Sequence, residues 1–443
     1  MRVLRIILAV IIFSFSSVPA FAAERVLRDT ETENFLHEKS EPIFRAAGLT
    51  PSNIQFILIE DDTMNAFVAG GQNIFLYSGL ILRTENLAEL LGVIAHETGH
   101  IAGGHLLRME GIIESASRES ILLTLLGIAA AALSGNGQVG AATALIGNQT
   151  TLSRVLAHSR SSEDSADQAA IKYLIQAKLP AHGLTSFMGK LIDEELLPAS
   201  RQDEYIQTHP LTRDRFESLM RGTKNLPEIA TPAADAEAYE RIKAKLQGYI
   251  KPRQMVRDRK GDDIPSRYGR AVAYYRLNDM AGALKILDSL QKDEPDNPYF
   301  YELRAQILYE RGKISEAVTY YQKAHAALPN APLITLSYGQ ALLANNDLKA
   351  AISILQRAVT QETDSAGAHR SLGIAYGRIG ETDLAQLELA ETALLTLDYK
   401  AAEYHAKAAK FPAGNPNALR AADILALARQ KIEEKKKDKT SRQ

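Results

Sequence analysis

The sequence HETGH at residues 96–100 follows an apolar run at residues 87–95. The run predicts a helix, with Thr84 as its N-terminal cap and Glu85 in its first turn. Two His residues four apart lie on nearly one helix face, so both imidazoles can reach a single metal ion. Glu97 lies beside that face, where its carboxylate can take a proton from an attacking water. The motif therefore predicts half of a hydrolytic metal site.

The composition of the chain limits what surrounds this motif. The 443 residues are 46% hydrophobic, which is enough for two or three domains with cores of their own. The formal net charge of −2 gives no indication of a nucleic-acid partner. The chain has no Cys, and this excludes disulfides and a thiol nucleophile.

Residues 1–22 are predicted to be a secretory signal peptide. Arg2 and Arg5 precede a mostly apolar run at residues 6–18, and residues 20–22 supply the small-x-small pattern of a cleavage site. The run is short for a membrane span, which needs about 20 apolar residues. We therefore expect cleavage after residue 22 and export to the periplasm, with an uncleaved membrane anchor as the alternative.

Residues 23–225 are predicted to form one α+β domain, mostly helical with a small sheet. Residues 54–59 are β-prone, and residues 65–77 hold two β-prone runs around the turn residues 70–73. This pattern predicts a strand followed by a β-hairpin. One hairpin strand could pair with an extended substrate peptide, since main-chain pairing at a sheet edge is a common way to bind peptides.

A second apolar segment of this domain covers residues 121–146. Its longest run, residues 121–133, is too short to span a bilayer. One interpretation is a buried helical hairpin. The other is a contact with a membrane surface, or a mobile lid near the site.

Residues 226–264 are predicted to be a linker with one embedded helix at about residues 234–249. The segment contains Pro227, Pro232 and Pro252, and it ends with a charged run at residues 257–263. Proline and clustered charge are typical of the connection between two domains.

Residues 265–432 repeat with a period of 34 residues. Two columns of small residues keep this register through four units: Ala271, Ala305, Gly339 and Gly373, then Ala283, Ala317, Ala351 and Ala385. The period and the small residues are the tetratricopeptide signature, because small side chains let paired helices approach closely. Two further helices are predicted to cap the stack, and the charged residues 433–443 are predicted to be disordered.

The metal site needs a third protein ligand, and His105 is one candidate. The spacing H-E-x-x-H-x-x-G-x-x-H would place that ligand at position 106, where this chain has Leu106. On a continuing helix, His105 would point about 140° away from His100. A packing or supporting role is therefore favoured for His105.

A later pair of carboxylates is the better candidate. Glu163 and Asp167 are four residues apart and would share one helix face. Glu163 can ligate the metal, while Asp167 can accept the other ring N–H of a ligand His and so fix its tautomer. A solvated acidic helix start is the alternative interpretation of this pair.

Five stretches together resemble the zinc metallopeptidase family of the HtpX heat-shock proteases and the CAAX prenyl endopeptidases. They are residues 65–67, 77–80, 96–100 with His105, 159–167, and 208–210 with Arg215. The signal peptide and the repeats resemble the soluble periplasmic branch of that family, the β-barrel assembly-enhancing proteases. The resemblance implies a zincin-type metalloprotease domain followed by an all-α tetratricopeptide solenoid.

The resemblance also implies roles for single residues. His96, His100 and Glu163 would bind one Zn²⁺, and Glu97 would be the base. His209 would either stabilise the oxyanion of the reaction or fill the fourth coordination position and hold the enzyme inactive. A loop histidine that only shapes the turn is a third possibility for His209.

Arg215 could support either state or pair with an acid. The implied function is a periplasmic endopeptidase that degrades misfolded or stalled outer-membrane β-barrel proteins, with repeats that hold the substrate or the barrel assembly machinery. The alternative is a chaperone-like repeat scaffold with a repressed metal site.

Overall fold

The computed structural model describes residues 25–105, 149–192, 204–209 and 211–440. The predicted signal peptide and the apolar segment at 121–146 lie outside these residues. Within them, no helix is both long enough and apolar enough to cross a membrane.

A four-stranded sheet forms one layer of the N-terminal domain. Its strands are β1 (Arg25–Leu27), β2 (Gln55–Glu60), β3 (Ala66–Ala69) and β4 (Asn73–Tyr77), in the spatial order β1-β2-β4-β3. Strands β2 and β4 are parallel, while β1 and β3 pair antiparallel at the two edges. The β3–β4 hairpin has the place and turn that the sequence predicts, and it leaves β3 as an edge strand.

The helices of this domain cover the sheet. They are α1 (Thr30–Ala46), α2 (Ser78–Arg83), α3 (Leu87–Ala102), α4 (Gln149–Gln176), α5 (His182–Leu191), α6 (Glu204–Thr208) and α7 (Arg213–Thr223). Helix α3, which carries the HETGH sequence, lies in the centre of the core. Leu90, Val93 and Ile94 on α3 are completely buried, as are Phe44 on α1 and Leu184 on α5.

The predicted cap of α3 is wrong by two residues. The cap is Asn86, whose side chain accepts a hydrogen bond from the backbone N–H of Glu89. Thr84 instead ends α2, where its hydroxyl donates to the carbonyl oxygens of Leu80 and Ile81. Asn is as good a cap as Thr, so local sequence alone does not separate the two positions.

The repeats form a solenoid of paired helices. The helices are α10 (Ile264–Arg276), α11 (Met280–Asp293), α12 (Pro298–Glu310), α13 (Ile314–Ala327), α14 (Pro332–Ala344), α15 (Leu348–Gln361), α16 (Ala366–Arg378), α17 (Thr382–Leu395), α18 (Tyr399–Ala408) and α19 (Pro416–Thr440). Ala271, Ala305, Ala283 and Ala317 are completely buried. The small-residue columns therefore mark close helix contacts, as the period of 34 predicts.

The predicted disordered tail is wrong for residues 433–440, because α19 continues through them. Lys431 pairs with Glu434 at 2.8 Å, and Lys436 pairs with Glu433 at 3.1 Å. Lys and Glu are good helix formers, and pairs three residues apart add support on the helix surface. The charged side chains of residues 433–437 therefore belong to the exposed surface of a helix.

The segment predicted to be a linker contains the helix expected at about residues 234–249, which is α8 (Ala233–Ile250), and a second helix that was not expected, α9 (Pro252–Asp258). Tyr239, Ile242 and Leu246 of α8 belong to the core of the N-terminal domain. Pro232 directly precedes α8 and Pro252 begins α9. Proline is well tolerated at the first position of a helix, so these prolines mark helix starts and not a flexible connection.

Helix α8 is shared by both domains. One face lies in the N-terminal core, where the Tyr239 hydroxyl donates to the carbonyl oxygen of Ile81 at 3.0 Å. The other face packs against α10 so closely that a Cβ on Gly248 would lie 2.2 Å from the carbonyl oxygen of Gly269. The two domains are therefore joined through a common helix.

Polar contacts also connect the start of α1 to the repeats. They are Arg28 with Glu362 at 2.7 Å, Tyr268 with Glu31 at 2.9 Å, Asn34 with Tyr299 at 3.3 Å, and Thr30 with Glu302 at 3.5 Å. Arg28 and Asn34 are exposed and the other groups are buried or partly buried, so these contacts hold α1 against the solenoid.

Charge is unbalanced at this contact. Lys245 lies 2.5 Å from Asp29 and 3.1 Å from Glu31. Glu302 of α12 accepts a hydrogen bond from Thr30 and is close enough for the charges of Lys245, Asp29 and Glu31 to act on it. Three carboxylates thus lie near one ammonium group, and Arg241 also acts on Glu31. Burial raises the pKa of Glu302 to about 7, and the nearby Asp29 and Glu31 add to this against the opposing effect of Lys245.

We predict that Glu302→Gln stabilises the chain at pH 8 and has little effect near pH 4.5. The docked Glu302 holds its proton more tightly than a free carboxyl, whose pKa is 4.5. This contribution to stability is therefore complete below pH 4.5 and is lost as the pH rises through about 7. The expected gain at pH 8 is about 1–2 kcal/mol, visible as a higher thermal midpoint.

The matched control is Glu381→Gln, which neutralises an exposed carboxylate in the repeats. Its effect on the thermal midpoint should be small at both pH values. An equal change in the thermal midpoint of Glu302→Gln at pH 4.5 and pH 8 would show that Glu302 does not have a raised pKa in the folded chain.

Candidate metal centre

Close packing of α3 on α4 creates the site. A Cβ on Gly99 would lie 2.9 Å from both the Cα and the carbonyl oxygen of Ala166, closer than real Cβ contacts allow. Gly99 therefore lets the two helices approach. Glu163 lies one turn before Ala166 on α4, and this approach brings its carboxylate to His96 and His100.

Four side chains point donor atoms at one small volume. His96, His100, Glu163 and His209 each offer a ligand atom, and these atoms all lie within 4.8 Å of one another. The Nε2 atoms of His96 and His100 are 3.1 Å apart. They lie 3.3 and 3.4 Å from the carboxylate oxygens of Glu163.

These distances fit a single tetrahedral ion. Ligand bonds of about 2.0–2.1 Å around tetrahedral zinc place neighbouring ligand atoms about 3.4 Å apart. The separations among His96, His100 and Glu163 are close to that value. Two His nitrogens and one carboxylate oxygen are also the donor set of a known class of catalytic zinc sites, which keep one position open.

The charge of the cluster points to a dication. The guanidinium of Arg215 pairs with the carboxylates of Glu163 and Asp167, and a third buried carboxylate, that of Glu97, lies beside His209. Three negative charges against one positive leave two uncompensated, and buried charge without compensation is costly. One divalent cation would bring the balance to zero.

Without a metal ion, protons on the histidines of the cluster would neutralise part of this negative charge. Burial lowers the pKa of His96, but hydrogen bonds and charge from Asp167 and Glu163 outweigh it and raise the pKa to about 10. Burial likewise opposes a charge on His209, yet Glu97 and Glu163 raise its pKa. Both shifts favour positive charge where a dication would bind, and metal binding would release the protons that carry it.

Asp167 and Arg215 hold the donors in place. His96 Nδ1 donates to Asp167 Oδ1 at 2.8 Å, which leaves Nε2 as the ligand atom. Arg215 donates to Asp167 through Nε at 2.9 Å and through a terminal nitrogen at 3.0 Å. Another terminal nitrogen of Arg215 lies 3.1 Å from Glu163. Arg215 therefore orients two carboxylates at once, a pairing that the sequence left open.

His209 lies over the site with both ring nitrogens engaged. Its Nε2 is 3.0 Å from the carbonyl oxygen of Ala66, which can only accept, so Nε2 carries a proton. Its Nδ1 is 3.3 Å from both carboxylate oxygens of Glu163, which are also acceptors. Nδ1 therefore either carries a second proton or faces a cation. A histidine that merely shapes a turn would not need this burial or these partners.

Glu97 stands apart from the other acids. Its carboxylate is completely buried, and neither oxygen accepts a hydrogen bond within the described residues. The Nε2 atom of His209 lies 3.4 Å from Oε1 of Glu97. The carboxylate is therefore available to a water or substrate that enters the site.

Three features of the site were not found from the sequence. They are Gly99 as the contact point of α3 with α4, the Ala66 carbonyl that receives His209, and Tyr205. The Tyr205 ring lies 4.8 Å from the His209 ring, measured between centroids, and is completely buried. A Gly inside the HETGH motif and an Ala three residues after Glu163 were signals for the helix contact. No comparable signal points to Tyr205.

The helix with HETGH, the carboxylate donor on a second helix and the small sheet together define a metallopeptidase. Comparison with known families agrees. Residues 30–222 match peptidase family M48, and residues 268–332 and 308–373 match tetratricopeptide repeats. The chain thus has an M48 peptidase domain, which a tetratricopeptide repeat domain follows.

Two bacterial relatives match this chain over most of their length. The chain is 25% identical over 357 residues to the β-barrel assembly-enhancing protease of Yersinia pestis, covering 76% of this chain and 70% of that one. It is 25% identical over 370 residues to the protein of the same name from Escherichia coli K12, covering 81% of this chain and 74% of that one. A crystal structure of MamA is 22% identical, with a TM-score of 0.30, over 40% of this chain and 99% of that one.

We predict that Asp167→Asn weakens metal binding about 10- to 100-fold, because His96 loses the carboxylate that fixes its tautomer. A competition assay with a chromophoric zinc chelator measures the change. The matched control is Asp164→Asn, an exposed carboxylate on the same helix, which should bind zinc as the wild type does. Equal affinities for Asp167→Asn and the wild type would contradict this role.

Proposed function

We propose that the chain is a zinc endopeptidase of the periplasm that acts in the assembly of outer-membrane β-barrel proteins. It would degrade misfolded or stalled barrel proteins, and its repeats would hold the substrate or the barrel assembly machinery. The names of the relatives, the M48 domain and the predicted signal peptide support this proposal.

The observation that carries the peptidase activity is the buried carboxylate of Glu97 beside the four donors, which accepts no hydrogen bond from the described residues. When bound, zinc would polarise the scissile carbonyl and acidify a nearby water. Glu97 would take the proton of the attacking water and pass it to the leaving amine. His96, His100 and Glu163 would hold the ion, while Asp167 and Arg215 keep those donors in position.

The edge strand β3 supports a protein substrate in extended form. Ala66 of β3 lies beside the site through its carbonyl contact with His209. An edge strand offers unpaired main-chain groups, and an extended peptide can pair with them regardless of its side chains. Unfolded barrel proteins expose such strands, so this mode of binding suits the proposed substrate class.

We predict that Glu97→Gln keeps the bound zinc and lowers the rate of casein cleavage by about 10²- to 10⁴-fold, the usual share of a general base. Metal analysis and a cleavage assay on the same preparation measure both effects. Glu85→Gln, at an exposed site before α3, is the control and should cleave normally. Unchanged cleavage by Glu97→Gln would rule out Glu97 as the base.

A chaperone-like scaffold with a repressed metal site is the second candidate. One observation favours it: His209 belongs to the same four-donor group as the three expected ligands. A fourth protein donor would occupy the position that a catalytic zinc leaves open for water. Full rescue of an outer-membrane defect by Glu97→Gln would support the scaffold and contradict a role by proteolysis alone.

His209→Ala separates the two roles of this residue. If His209 blocks the open position, we expect the variant to cleave casein faster than the wild type. If His209 stabilises the oxyanion, the rate should fall by about 10²- to 10³-fold. His325→Ala, in the repeats, is the control for loss of a histidine. A rate unchanged by His209→Ala would contradict both roles.

A further inference from the structure

The chain reverses sharply after α3 and brings His105 back onto the metal centre. The N–H groups of Gly103 and Gly104 donate to the carbonyl oxygens of Gly99 and Ile101, at 2.9 and 3.0 Å. Gly104 has a φ of +60°, a backbone conformation that favours glycine. The helix therefore does not continue to His105, and the orientation expected on a continuing helix does not apply.

The reversal places the His105 ring against a ligand. Its Nδ1 lies 3.0 Å from Nδ1 of His100. The rings are nearly perpendicular, with centroids 5.0 Å apart, and His105 is buried. A Cβ on Gly103 would lie 2.4 Å from Nε2 of His105, so the position before the reversal has no room for a side chain.

The hydrogen bond between the two rings fixes their tautomers. His100 faces the other donors through Nε2, which must present a lone pair in order to bind a metal ion. An imidazole that binds a metal ion is neutral and has only one N–H. That proton is then on Nδ1 of His100, and Nδ1 of His105 accepts it.

We propose that His105 is a positioning residue that holds His100 in the tautomer and orientation required of a metal ligand. This inference rests on the proposed metal site. His96 receives the same support from a carboxylate, Asp167. A neutral imidazole supports His100 without adding charge, so the excess of two negative charges in the cluster remains matched to a dication.

The test compares His105→Asn with His105→Leu. Oδ1 of Asn occupies nearly the position of Nδ1 of His and can accept the same hydrogen bond, whereas Leu has a similar shape and no acceptor. We expect His105→Leu to bind zinc about 10- to 100-fold more weakly, and His105→Asn to stay within about threefold of the wild type. Competition with a chromophoric chelator gives the affinities, and circular dichroism shows that each variant is folded.

Two results would overturn the proposal. One is wild-type affinity in His105→Leu. The other is an equal loss in His105→Asn and His105→Leu, which is the result of a purely steric role. Either leaves the proposed peptidase site intact, because the wild type would still bind zinc. Absence of zinc binding by the wild type would overturn the metal site itself and this inference with it.

A second measurement does not depend on any variant. Nitrogen-15 spectra of the zinc-loaded chain distinguish protonated from unprotonated ring nitrogens. The proposal predicts a protonated Nδ1 on His100 and an unprotonated Nδ1 on His105. The reverse assignment would overturn it.

Discussion

The close approach of α3 to α4 is the contact on which the rest of the site depends. Gly99 has no side chain, and Ala166 fills the space opposite it. The approach brings Glu163 and Asp167 to His96 and His100, and it leaves Arg215 as the cation that pairs with both carboxylates. A wider spacing would separate the donors by more than one ion can bridge. The chemistry of the centre thus follows from a packing constraint.

The same packing creates the electrostatic demand for a metal ion. The cluster has three buried carboxylates and one guanidinium, which leaves an excess of two negative charges. Protons on the histidines or one dication can neutralise this excess. His209 belongs to the cluster whether protons or a dication neutralise it, because its Nδ1 faces the carboxylate of Glu163. Whether the centre is catalytic or blocked therefore depends on a single imidazole. The α8 helix and the contacts of α1 place this centre in a fixed relation to the repeats.

Local periodicity made much of the architecture predictable. The 34-residue columns gave the solenoid, and the four-residue spacing of Glu163 and Asp167 placed both on one helix face. The failures come from contacts between distant residues. The prolines at residues 232 and 252 predicted a linker, although they stand at helix starts. Only the contacts of Tyr239 show that α8 is part of the N-terminal core, and those contacts are with residues distant in sequence. His209 depends on α6, which is anchored by the N–H of Tyr205 donating to the carbonyl oxygen of Met64. The sequence favoured a packing or supporting role for His105, but its contact with His100 depends on one glycine, Gly104, which reverses the chain.

The excess of two buried negative charges in this cluster fits one divalent cation. Metal analysis of the purified chain by mass spectrometry tests this fit most directly, with Glu163→Gln as the comparison. We expect one zinc per folded chain, removed by a chelator and greatly reduced in Glu163→Gln. A folded wild-type chain that binds no divalent cation, or one that binds zinc equally well without the Glu163 carboxylate, would contradict it.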